Sequence, residues 1–448
     1  MDPKLRALNR FGMGARAGER DTMGDPRDWL RAQLASGAPR LEDGSIPGDA
    51  DIGAALRALR MAAGGGADAQ RARQEARRRL TQIAAAEART ALNARVTSTR
   101  PFVERLVAFW SNHLCVSSAG KVPVAALAGS YERDVIRAHV LGRFENMVLA
   151  SAKHPAMLLY LDNAQSIGPN SRAATMMRRR RGAPRGLNEN YARELLELHT
   201  LGVDGGYAQS DVLELARLLT GWTVDRAGAM GGAFTFEAPL HEPGNKTVLG
   251  ARYGTGLQEG EKAIRALCRH PSTARFVARK LVTHFVADDP PASAVDRIAA
   301  VFSQSNGDLR AVATALVEQP EAWDHSTRKF RAPQDWLVAT LRAFRADDSG
   351  AALAPVLRQL RHPLWAPPSP KGFPDSAQDW ADPDSLMNRA ELARSIARRV
   401  PPRVDTRALA TVVDIDAGDA LVSMLGDGSI PAQDRVALAI AGPAFQWR

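Results

Sequence analysis

From Pro101 onward, Phe102, Leu106, Phe109, Trp110 and His113 recur at the spacing of one helix face. The same rhythm returns in segment after segment between glycine and proline breaks. A chain patterned in this way hides its apolar residues by packing helix on helix, so the sequence predicts an all-α, multihelical bundle. Helices are expected over 25–36, 68–93, 131–150, 155–162, 189–201, 210–220, 259–268, 272–286, 292–304, 308–317, 333–345 and 385–398. Only Phe234 to Phe236 and Thr247 to Leu249 read as strands, giving at most a short two-stranded β element near 234–249. Three units follow from the punctuation: a helical extension over 1–95, a main helical domain over 96–346, and an irregular and helical segment over 347–448 that packs on it.

Composition narrows the function classes. Two cysteines in 448 residues, Cys115 and Cys268, provide neither a disulfide framework nor a cysteine zinc site and read as buried small hydrophobes. The opening MDPKLRALNRFGMGARAGERD lacks the apolar stretch of about 7–15 residues that a secretory signal needs, and no later run of about 18 apolar residues spans a membrane. The expected address is cytoplasmic as the chain stands, and exported if a signal has been removed. A net charge of +10 points to an anionic polymer as partner, such as an acidic glycan or nucleic acid. Its arginines gather at Arg71, Arg73, Arg77, Arg78 and Arg79, and in the run from Arg178 to Arg181. Few aromatics interleave with them, so they read first as solvated surface rather than a base-stacking platform.

The segments FWSNHL (Phe109 to Leu114), HPAMLLYLDNAQS (His154 to Ser166), LNENYARELLELHTLGVDGGY (Leu187 to Tyr207), DVLELARLLTGWT (Asp211 to Thr223), HEPGNKTVLG (His241 to Gly250) and HPSTARFVARKLVTHFVADDPP (His270 to Pro291) follow one another in order. With NRFGMG near the start and PPSPKGFPD late in the chain, they make the sequence resemble, nearly end to end, the bacterial family called domain of unknown function 1800. The resemblance implies a multihelical fold and no established activity. It also implies relatives that carry export signals, some of them encoded beside sulfatase-like proteins.

The candidate site comes from the residues themselves. On a wheel of 100° per residue, Tyr191, Ala192, Leu195, Leu196, Leu198 and His199 share one arc, while Glu189, Asn190, Arg193, Glu194, Glu197 and Thr200 share the other. Gly202 then ends the helix as a left-handed cap. Glu194 and Glu197, three residues apart, are neighbours able to bind a divalent metal ion or to divide into an acid and a base. His199 points elsewhere and reads as a packed core residue. Further ligands or catalytic groups have to come from other segments, and His113 and His241 are the candidates. The candidate catalytic and metal-binding set is therefore Glu194, Glu197, His113 and His241. The same residues admit plainer readings: Glu189, Arg193 and Glu197 stand at the steps of an exposed ion-pair ladder, and His113 shares an aromatic stripe. His241 lies in a Gly/Pro loop that no packing pattern explains.

There is no phosphate-binding loop, dinucleotide fingerprint, nucleophile elbow or zincin histidine pair in the sequence. The reading that follows is a hydrolase acting on a polar or anionic polymer through a Glu/His site. Its rival is a non-catalytic polyanion-binding or assembly protein.

Overall fold

The computed structural model describes residues 2–41, 46–62, 64, 66–179, 186–225, 232–324, 326–345, 350–399, 406–413 and 419–448. Helices dominate. The expected helix over 292–304 is found as Ala292–Gln304, and its neighbours run Leu257–Cys268, Pro271–Phe285 and Leu309–Val317. Their starts are chemically marked: Asp308 accepts from the Arg310 and Ala311 amides, and His270 accepts from the Ser272 amide ahead of a proline at the first helical position. No described helix is long and apolar enough to cross a membrane.

Three expectations change. The stretch 131–150 is not one helix: Val122–Tyr131 widens into a π turn over Glu132–Arg137, and a new helix Phe144–Lys153 starts after Gly142, where the backbone turns to meet Leu309. The strand Phe234–Phe236 pairs with Trp222–Val224, and Lys246–Val248 pairs with Ala251–Tyr253, so two small antiparallel ribbons stand where one was expected. Helices Asp49–Met61, Gly350–Gln359 and Ala432–Ala441 were not anticipated, because glycine, proline and aspartate blur their periodicity.

The two ends of the chain meet in the core. Phe11 packs edge-on against Phe102 at 5.6 Å and stacks near Phe285 at 5.9 Å. Lys329 and Arg448 exchange backbone hydrogen bonds of 3.0 and 2.8 Å. Arg10 donates to the carbonyls of Val286, Thr327 and Arg448. Much of the arginine content is internal: Arg105 pairs with Asp335 at 2.8 Å, Arg95 with Glu132 at 2.8 Å, and Arg137 grips both oxygens of Glu104. Such pairs are costly to break, about 3–5 kcal/mol when one partner is removed, because the other charge is left buried. Cys115 and Cys268 are both buried and unpaired, as their scarcity suggested.

Candidate functional site

The helix carrying the glutamates begins as Asn190–Glu194 and widens into a π turn over Leu195–Thr200. Thr200 Oγ1 donates to the Leu195 carbonyl five residues back, at 2.6 Å, and Thr200 is buried although the wheel put it on the polar face. The wider turn rotates the end of the helix inward, a change that a wheel of constant pitch does not contain. Gly202 closes it at φ 84°, where a Cβ would lie 2.8 Å from the Phe276 ring.

Glu194 and Glu197 are half-buried, and neither carboxylate makes a hydrogen bond or ion pair with a described residue. The ladder therefore forms only in its first step, Arg193 with Glu189 at 3.2 Å. Burial, and then the charge of Glu197, push the Glu194 carboxyl above its ordinary range. Its charge is felt by the Cys115 thiol and the Tyr160 hydroxyl.

His113 is buried among Phe109, Trp110, Phe144 and Phe276. Its Nε2 lies 3.2 Å from the His199 carbonyl, which fixes the proton on that nitrogen and leaves Nδ1 without a hydrogen-bond partner among the described residues. Burial, with Lys280 and His199 nearby, holds the ring neutral. His241 follows the short turn Ala238–Leu240. Its Nδ1 reaches the Thr220 carbonyl at 2.8 Å, and its Nε2 accepts the Gly256 amide at 2.9 Å. Both nitrogens are spent on holding the loop, and Lys246 Nζ completes the clamp by donating to the carbonyls of Glu242 and Gly244. Among the described residues no group of three or more His, Cys, Asp or Glu side chains is arranged to hold a metal ion. Glu194, Glu197, His113 and His241 are thus not such a group: His113 is engaged by its aromatic neighbours and the His199 carbonyl, and His241 by its loop contacts.

The structure draws attention to a half-open cleft of about 490 Å³ that His113 borders. One wall is the end of helix Pro101–His113, the second is helix Pro271–Phe285, and the third is the irregular segment 362–375. That segment is zipped onto the chain on either side of His113. Asn112 bonds both the carbonyl and the amide of Phe373, at 2.9 and 2.8 Å. Cys115 donates to the Pro370 carbonyl, and Ser117 to that of Pro367. Gly372, at φ 85°, permits the approach: a Cβ there would stand 2.5 Å from the Asn112 carbonyl oxygen.

Two residues four apart on helix Pro271–Phe285, Lys280 and His284, share the face lining the cleft. His284 Nδ1 donates to Asp375 at 2.7 Å, leaving its shielded Nε2 without a hydrogen-bond partner among the described residues. Burial pushes the imidazole below its ordinary value despite Asp375, so it is neutral near pH 7. Burial opposes the Asp375 charge too, but the His284 donor and Lys329 outweigh it and hold that carboxyl below the usual range. Lys280 makes no hydrogen bond or ion pair with a described residue; burial first, and then Lys371, push its ammonium down to about 8, against Cys115 and Asp375. Arg279 and Lys371 on the rim are exposed and equally unpaired. The acids of the lining are already committed, Asp335 to Arg105 and Arg448, Asp375 to His284 and Lys329. The cleft therefore presents uncompensated positive charge.

Sequence reasoning missed Lys280, His284 and Asp375. The lysine and histidine sit in an ordinary amphipathic pattern, and 91 residues separate His284 from Asp375. The available signal was PPSPKGFPD, a proline-rich stretch with few amide donors and many free carbonyls, suited to being held by side chains of another segment. Arg180 and Arg181 lie outside the described residues. Arg178 and Arg179 end the exposed helix Arg172–Arg179, beside the exposed Met176 and Met177.

A multihelical protein with a basic, half-open cleft is the class that fold and geometry define. The chain belongs to the family described as protein of unknown function (DUF1800), which matches residues 6–447. No curated protein and no solved structure matches it.

Proposed function

We propose that this protein is an acid–base hydrolase that takes an anionic polar substrate into the cleft beside Lys280. The reading rests above all on three cations, Arg279, Lys280 and Lys371, unpaired among the described residues and set around one cavity whose acids are already committed. A volume of about 490 Å³ suits a small molecule or the end of an acidic polymer. Arg279 and Lys371 hold the anionic group. Lys280, with an amine pushed down to about 8, accepts a proton from attacking water. Glu194, whose carboxyl burial and Glu197 keep in its protonated form to higher pH, supplies a proton from the margin of the same region. His113 borders the cleft as a neutral wall, and His241 serves the loop instead.

The test is turnover of phosphate, sulfate and carboxylate esters and of acidic oligosaccharides by the purified protein. One class should be cleaved, with a loss of about 10²–10⁴-fold in Lys280→Met and a smaller loss in Glu194→Gln. Binding of these compounds without turnover of any would defeat the hydrolase and leave the polyanion-binding reading. That rival draws on the exposed Arg178 and Arg179 beside Met176 and Met177. It requires heparin binding that weakens steeply with salt and survives the loss of Lys280.

A further inference from the structure

We propose that Lys280 is a nucleophilic amine, and that the cleft accepts an aldehyde or ketone bearing an anionic group, which Lys280 captures as an imine. The inference depends on the cleft being the ligand site, not on hydrolysis being its reaction.

The geometry separates the half-buried Lys280 from the buried Lys246 and Lys329. Lys246 Nζ is anchored by two backbone carbonyls, and Lys329 Nζ by Asp288 and the Asp375 carbonyl. Lys280 Nζ has no acceptor among the described residues; the Phe276 ring lies 5.7 Å away. The groups around it give it no dedicated counter-charge. His113 and Cys115 face it from the end of helix Pro101–His113 and the residues beyond, the former neutral and the latter a thiol pushed up to about 12. His199 faces it from the π turn and is pushed down to about 3, hence neutral. From segment 362–375 come Lys371 and Asp375, the second already bound to His284 and Lys329. On its own helix it is flanked by Arg279 and His284, which line the same cavity.

An amine in such a place has a far larger neutral fraction near neutrality than an ordinary lysine, and Arg279 and Lys371, unpaired among the described residues, are ready for the substrate's anion. In the step itself the Nζ lone pair adds to the carbonyl carbon and the C=O π pair moves to oxygen. The oxygen takes the proton that nitrogen sheds. The carbinolamine then loses its hydroxyl with the second nitrogen proton as water, leaving C=N. No electrons are gained or lost, and no co-reactant is needed.

Pyridoxal 5′-phosphate, an aldehyde carrying a phosphate, is the probe. The full-length protein is incubated with one equivalent at pH 7.5, reduced with borohydride, digested and mapped by mass. With its ammonium near 8 against an ordinary lysine near 10.4, Lys280 has roughly a hundredfold more neutral amine than an exposed lysine, so it should carry at least about tenfold more label than any other lysine. Pyridoxal without the phosphate should label it about tenfold less, inorganic phosphate should protect it, and the double variant R279Q/K371Q should lose the preference. Lys280→Arg should abolish the dominant label with an unchanged thermal midpoint. Label spread evenly over exposed lysines such as Lys262 would overturn the proposal. Equal labelling by pyridoxal and its phosphate would overturn its anionic part. A protein that hydrolyses nothing yet labels at Lys280 separates this inference from the hydrolase.

Discussion

Two regions of this molecule use the same residue types to opposite ends. In the 241–256 loop, His241 spends both ring nitrogens on backbone partners, and the Lys246 ammonium is saturated by carbonyls. In and beside the cleft, His113 Nδ1, His199 Nε2 and His284 Nε2 are buried without a hydrogen-bond partner among the described residues, and Lys280 has no acceptor among them either. Buried polar groups are ordinarily paired, because an unmet donor or acceptor costs about 1–3 kcal/mol. A histidine and a lysine in a Gly/Pro loop can thus be scaffold, while a histidine and a lysine inside a regular helix bear the marks of a site. Residue type and loop position do not separate the two cases; satisfaction of each polar atom does.

The widest test of that contrast is acid. Burial pushes His154, His199 and His362 down to about 3. A histidine whose folded value lies below its unfolded value of about 6.5 contributes stability that is complete above that value and is lost as pH falls toward the folded one. Each of the three adds a slope of up to about 1.4 kcal/mol per pH unit in that window. The urea midpoint should therefore fall steeply between pH 6.5 and 4. A flat midpoint would mean that these rings are not held neutral.

Next in size is the loop clamp. Lys246→Met strands the carbonyls of Glu242 and Gly244 and should cost about 2–3 kcal/mol in urea unfolding at pH 7.5, with labelling at Lys280 intact. The same replacement in the cleft should have the opposite sign. Lys280→Met removes a half-buried amine that has no hydrogen-bond or ion-pair partner among the described residues and should gain about 1 kcal/mol while anion binding disappears. Equal losses at the two positions would erase the distinction between scaffold and site. The smallest effect is expected at Glu194→Gln, which relieves repulsion from Glu197 and should stabilise by a few tenths of a kcal/mol near pH 7, the advantage vanishing as acid protonates the wild-type carboxyl.

Local sequence was enough for much of the framework. The apolar spacing of Val295, Ile298 and Phe302, with the Asp308 cap that follows, sets Ala292–Gln304 and Leu309–Val317 almost to the residue. The three-residue interval that makes Glu194 and Glu197 neighbours was equally legible, as was the left-handed Gly202. These features depend on helix pitch and on hydrogen bonds between residues close in sequence. Tertiary structure decided which polar groups were left unmet. The π turn carried Thr200 inward, a backbone amide 15 residues away engaged His241, and segment 362–375 folded over the Lys280 face of a helix that by itself is unremarkable. Periodicity reports which face of a helix is apolar, but pairing and desolvation depend on the distant segment that covers it, and a proline-rich segment with no period of its own leaves no trace of where it will lie.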